Sequence, residues 1–113
     1  NTDDVAMILA DIRSKKQEHF VLLTLDGADR LVNRHIVSIG TVNASLIHPR
    51  DIFTLALNDN AASIIVAHNH PGGSIDPSPA DIEVTKRLRD AGQLLGIHLQ
   101  SHIIVTQNDA RLI

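Results

Sequence analysis

The segment HNHPGGSIDPSPAD, residues 68–81, gathers the side chains best suited to hold a metal ion. His68 and His70 stand two apart, and alternate side chains on an extended chain point to the same side. Two imidazole nitrogens can therefore converge on one ion about 2 Å away. Pro71 ends the extended stretch, Gly72 and Gly73 turn the chain, and Asp81 returns on the first turn of a helix opening at Ser78. Two neutral nitrogens and one carboxylate oxygen leave a tetrahedral position for water, as in catalytic rather than closed structural sites. Zinc in such a site lowers the pKa of its water to about 7, and the positive end of the helix adds to the field. A proton acceptor is also needed. The glutamates are Glu18 and Glu83. Glu83 lies two positions after Asp81 and on a helix faces nearly the opposite way, as surface charge. Glu18 directly precedes an apolar run, where its carboxylate can reach over a neighbouring strand end, so it is assigned as the acid/base by elimination and position.

The elements that must position these groups follow from periodicity and punctuation. Residues 3–13 carry Val5, Ile8, Leu9 and Ile12 at helical spacing, with Thr2 or Asp3 as N-cap. Residues 19–25 read as a buried strand, Asp26 to Asp29 as a turn, and the alternating residues 31–39 as a second strand closing a hairpin. Gly40 to His48 is loop with room for an edge strand. Pro49 opens a helix over residues 50–59. Residues 62–67 are apolar and β-branched, a fully buried strand with His68 at its C-terminal end, followed by loop over 69–77. Ser78 as N-cap, Pro79 at N1 and Asp81 at N3 start a helix that runs to about Leu95 and stops at Gly96. Residues 97–105 make another strand, and Asn108-Asp109 turns into a short last one. The order α, β, β, α, β, α, β, β predicts an α/β fold with one mixed β-sheet flanked by helices.

Bulk composition limits what such a fold can be used for. The 113 residues suit one domain, 1–113, and 43% are hydrophobic, enough for a core. With two Phe and no Trp or Tyr, that core is built from Ile, Leu, Val and Ala. The absence of Cys excludes disulfides and thiolate metal sites, so a metal here takes His, Asp or Glu, and seven His are present. There is no long apolar run for a membrane span and no basic, apolar leader at the start, which points to a cytoplasmic protein. A net charge of −3 opposes broad binding to nucleic acid. Lys15, Lys16, Lys86, Arg87 and Arg89 are read as solvated helix surface. The chain begins at Asn1 rather than Met, as a piece of a longer protein would.

His68, His70, Pro71, Ser78 and Asp81 match, residue for residue, the pattern His-x-His-Pro-(six residues)-Ser-x-x-Asp, and the chain thereby resembles the JAB/MPN (JAMM) metalloprotease superfamily. Its wider sequence resembles the RadC family within it, through EHFVLLTLD (18–26), SIGTVNASLIHPRDIF (38–53), AHNHPGG (67–73) and ADIEVTKRLRDAGQLLGIHLQSHIIV (80–105). The resemblance implies a cytidine-deaminase-like three-layer α/β/α fold and zinc held by His68, His70 and Asp81. It implies Glu18 as acid/base, and Ser78 as a hydrogen-bond partner of the developing oxyanion or of the zinc water. It implies cleavage of an amide, peptide or isopeptide bond in a peptide or protein substrate. Asn69 stands between the histidines where proteolytic members more often have Ser, a departure that bears on peptidase activity rather than on the metal site. The insertions with which deubiquitinating members grip their substrate are missing, which argues against ubiquitin. Full-length RadC members often carry an N-terminal helix-hairpin-helix module, so this chain is a catalytic fragment or a short member.

Two other functions compete. The family name suggests a DNA-repair accessory with DNA-binding or nuclease activity, which the charge opposes. A non-enzymatic scaffold working as a homodimer is the other, which the intact motif opposes. The letters His-Asn-His at 68–70 do not make an HNH nuclease, whose residues spread over a ββα unit. Among the remaining histidines, His48 lines the pocket or supports its loop. His102 is read as structural, with a role behind the metal ligands as the alternative. His19, His35 and His98 are ordinary strand or surface residues.

Overall fold

A computed structural model describes residue 5, residues 7–40 and residues 47–113. Its strands are β1 (His19–Leu25), β2 (Leu31–Ile39), β3 (Ser63–Asn69), β4 (His98–Val105) and β5 (Ala110–Leu112), and its helices are α1 (Pro49–Asn58) and α2 (Pro79–Leu95). These fall within two residues of the expected elements. The N-cap expected at Thr2 or Asp3 lies outside the described residues, as does most of the expected loop at 40–48. Leu9 N–H bonds to Val5 O at 3.0 Å, and Ala10–Ile12 forms a 3-10 turn.

The five strands form one mixed sheet in the order β2-β1-β3-β4-β5. β1 is antiparallel to both β2 and β3, whereas β3 and β4 run parallel, as strands joined through a crossover helix do. β1 and β3 are buried along their whole length, which explains their unbroken apolar sequences: both faces of the sheet are covered. Even-numbered residues Phe20, Leu22, Ile64 and Val66 pack with Ile52, Phe53 and Ala56 of α1 and Val84 and Leu88 of α2. Odd-numbered Val21, Leu23, Ile65 and Ala67 pack instead with Leu9 and Ile12. Two helices on one face and the N-terminal segment on the other give the three-layer order expected. Each fully buried Leu, Ile or Phe contributes about 1.5–3 kcal/mol, so both layers hold the central strands in place. The period of two then sends neighbouring residues at the end of β3 to opposite layers.

Candidate metal centre

His68 is the penultimate residue of β3 and is fully buried. It sits opposite Phe20 on β1 and Ile104 on β4. The Phe20 ring lies nearly parallel to its imidazole, centroids 5.9 Å apart, which holds the ring's orientation. His70 lies just past the strand, where its N–H donates to Val105 O at 2.9 Å and keeps the chain extended along β4. The spacing of two thus brings the two Nε2 atoms to 2.9 Å.

Asp81 arrives from α2. Ser78 is the N-cap and forms a reciprocal capping box: its Oγ accepts from Asp81 N–H at 3.1 Å, and its own N–H donates to Asp81 Oδ2 at 2.8 Å. The box aims the carboxylate at the histidines, with Oδ1 3.1 Å from His68 Nε2 and Oδ2 3.1 Å from His70 Nε2. These separations approach the edge of a donor tetrahedron, about 3.3 Å for bonds of 2.0 Å. Burial works to raise the Asp81 carboxyl. Hydrogen bonding by His68 and the Ser78 N–H, with the charges of His68 and His70, outweighs it and holds the group below the usual carboxylate range.

Glu18 enters from the far side, on the residue before β1. Its Oε1 is 3.9 Å from His68 Nε2 and 3.7 Å from His70 Nε2. Donor atoms of Glu18, His68 and His70 all lie within 4.8 Å of one another. Two carboxylates therefore flank the imidazole pair. Asp81 is the nearer to both and is buried, while Glu18 is further off and partly open to solvent. Clefts of about 350 Å³ beside His70 and Pro71, and about 290 Å³ beside Glu18 and Pro71, give access from outside.

The far nitrogens of the two imidazoles are engaged as well. His70 Nδ1 lies 2.8 Å from Ser74 O, a carbonyl that can only accept, so Nδ1 carries a proton and Nε2 is the nitrogen turned toward Asp81. For His68 the assignment runs through two residues. Thr85 Oγ1 donates its single proton to Asp81 O at 2.9 Å and accepts from His102 Nδ1 at 2.6 Å. Burial, aided by the charge of His68, pushes the His102 imidazole down to about 3, so it is neutral and its Nε2 accepts. His68 Nδ1–H then donates to that Nε2 at 2.8 Å, which leaves His68 Nε2 to face Asp81. Two imidazole Nε2 atoms and a carboxylate thus face one point. That is the electronic arrangement a divalent cation satisfies.

The five predicted site residues are therefore neighbours, with Ser78 exposed at the rim. His102 and Thr85 go beyond the structural reading given to His102. Thr85 was recoverable, since it is four residues past Asp81 on the same helix face. His102 was open to sequence only as the alternative reading, because its place depends on the parallel register Val66↔His102, reached through an irregularity between Ile64 and Ile65. His48 caps α1 at the backbone, accepting from Asp51 and Ile52 N–H. His98 is exposed, His19 is buried, and His35 pairs with Asp59 at 2.8 Å. Glu83, Lys15, Lys16, Lys86 and Arg89 are exposed and Arg87 is partly so. Among the described residues no helix is long and apolar enough to cross a membrane.

Comparison with known proteins bears on the family. The chain is 48% identical over 103 residues to a UPF0758 protein of Shouchella clausii, covering 91% of this chain and 45% of that one. It is 49% identical over 109 residues to a UPF0758 protein of Finegoldia magna, covering 96% and 49%. A UPF0758 protein of Methanospirillum hungatei is 46% identical over 99 residues, covering 88% and 44%. The chain thus spans a little under half the length of these relatives. A family profile described as RadC-like JAB domain matches residues 1–112, nearly the whole chain. With the histidine pair, the capped aspartate and the mixed sheet in place, the chain belongs to the RadC-like JAB domain family.

Proposed function

We propose that this domain is a zinc-dependent hydrolase acting on an amide, peptide or isopeptide bond. The observation that carries the reading is the pair of Nε2 atoms 2.9 Å apart, each imidazole held by a hydrogen bond on its far nitrogen and both Nε2 atoms facing the Asp81 carboxylate. His68, His70 and Asp81 would hold the ion, Asp81 being the closer and more deeply buried of the two carboxylates. Bound there, zinc would supply Lewis-acid polarisation of a carbonyl and a water of lowered pKa.

The remaining steps belong to the chain's own groups. Glu18 Oε1, on the side open to solvent, takes up the proton of the attacking water and returns it to the leaving nitrogen. The same group serves as base and then acid. Ser78 Oγ accepts the Asp81 N–H, which leaves its own proton to donate to an oxygen that gains charge. The buried wall formed by Phe20, His68 and His102 excludes water from behind the site.

The test begins with metal analysis of protein purified without added metal, beside His68→Ala and Asp81→Ala. One zinc per chain, lost in both variants, is the expected result. A well-folded parent that takes up no zinc when supplied with it would overturn the reading. Glu18→Gln should keep the metal and lose hydrolysis of peptide and isopeptide substrates. Full activity in that variant would remove Glu18 from the mechanism.

A further inference from the structure

Asn69, between the two histidines, has no role in the metal set, yet it is fully buried. The alternation of β3 turns it away from α2, toward the segment that leads into β1. There its side chain makes three hydrogen bonds, all to main chain. Oδ1 accepts from His19 N–H, and Nδ2 donates to Gln17 O at 3.0 Å and to Lys15 O at 3.3 Å. These partners lie on both sides of Glu18. From the β2 side, Glu18 O accepts the Gly40 N–H at 2.8 Å. Glu18 thus sits in a main-chain arch fastened to β2 by a backbone bond and to β3 by one amide.

We propose that Asn69 is a positioning residue, whose buried amide clamps the backbone around Glu18 and sets where that carboxylate meets the histidine pair. The inference deepens the hydrolase reading and rests on Glu18 as its acid/base. The chemistry asks for an amide in particular. One acceptor and two donors must act at once, and a serine hydroxyl has a single proton and a shorter reach. An aspartate would lose both donors and bury a charge. Because His68, Asn69 and His70 are consecutive, one strand end places the ligands on one face and the acid/base arch on the other. A displacement of about 1 Å in a catalytic group costs on the order of 100-fold in rate, so the clamp matters to turnover even with the metal fully bound.

Four proteins decide the matter: parent, Glu18→Gln, Asn69→Ala and the double variant, each loaded with cobalt(II) as a spectroscopic probe. All four should bind one ion. The visible spectrum of Asn69→Ala should move toward that of Glu18→Gln, and the double variant should add nothing. With zinc and a peptide amide substrate, kcat in Asn69→Ala should fall roughly 10–100-fold with little change in KM, and the double variant should be no slower than Glu18→Gln. A changed Glu18→Gln spectrum beside a parent-like spectrum and kcat in Asn69→Ala overturns the clamp alone. A Glu18→Gln protein identical to the parent overturns the acid/base assignment and the clamp with it. Asn69→Ser, which can keep one of the three bonds, should fall between parent and Asn69→Ala. If neither Asn69 variant folds, Asn69 is a structural residue and the proposal fails.

Discussion

The His68 nitrogen that faces Asp81 is backed by a chain of atoms on the far side of its ring. Thr85 Oγ1, His102 and His68 Nδ1 form a directed chain of hydrogen bonds starting from the carbonyl of Asp81, itself a proposed ligand. Thr85→Val keeps the shape and deletes the hydroxyl, so His102 loses the acceptor that fixes its tautomer. Zinc affinity measured by competition with a chelator should drop about 10–100-fold, the usual cost of losing a partner behind a ligand. An unchanged affinity would show that the chain does not set the His68 tautomer.

At the scale of the element, α2 serves the site at one end and the fold at the other. Its N-terminus carries the capping box that holds Asp81, and Ser78→Ala should cost about 1 kcal/mol of stability in chemical denaturation. The same change should weaken metal binding, since an acceptor for Asp81 N–H is gone. At the C-terminus the chain doubles back tightly. Gly96 adopts a left-handed φ of 73° and its N–H caps Gly92 O, while Ile97 N–H also reaches Gly92 O at 2.9 Å. A Cβ on Gly92 would stand 2.3 Å from Ile97 O and 3.2 Å from the Phe53 ring. Gly92→Ala should therefore destabilise by roughly 1–3 kcal/mol despite the better helix propensity of alanine. A parent-like midpoint would mean that the Ile97 backbone yields freely. Both helix ends were legible in sequence, from Ser78-Pro79 and Gly96. The crowding at Gly92 was not, because it depends on how the chain returns toward β4.

Across the whole molecule, Asp59 ties three elements at the end of the sheet remote from the candidate metal site. It is the C-cap of α1, accepts from Thr24 Oγ1 of β1 at 2.8 Å, and meets His35 Nε2 of β2 at 2.8 Å. The His35 hydrogen bond first, then that of Thr24, lowers the Asp59 carboxyl below its ordinary 3.8 against a smaller cost of burial. A group with a depressed folded pKa contributes stability above its unfolded pKa and loses it as pH falls through the folded value. Asp59→Asn should therefore cost about 1–3 kcal/mol near neutral pH, and the gap to the parent should close as pH drops below about 4. A gap that does not change with pH would refute the linkage.

Sequence alone showed the elements and brought forward His68, His70 and Asp81 as a candidate metal set, for a local reason. Strand alternation places His68 and His70 on one side, and Ser-x-x-Asp capping orients Asp81 within a single turn. The mixed sheet followed from hairpin punctuation between β1 and β2 and from a helix between β3 and β4. Glu18 was placed at the site by elimination, by its position before the first strand and by the family resemblance. What tertiary structure decided is everything that crosses between strands. The central position of β1 between β2 and β3 brings Glu18 to the histidines, and the parallel register of β4 delivers His102 behind His68. Alternation at the end of β3 then turns Asn69 into the opposite layer. Pairing order and register are set by how two buried faces pack together, and no local pattern in the chain encodes them.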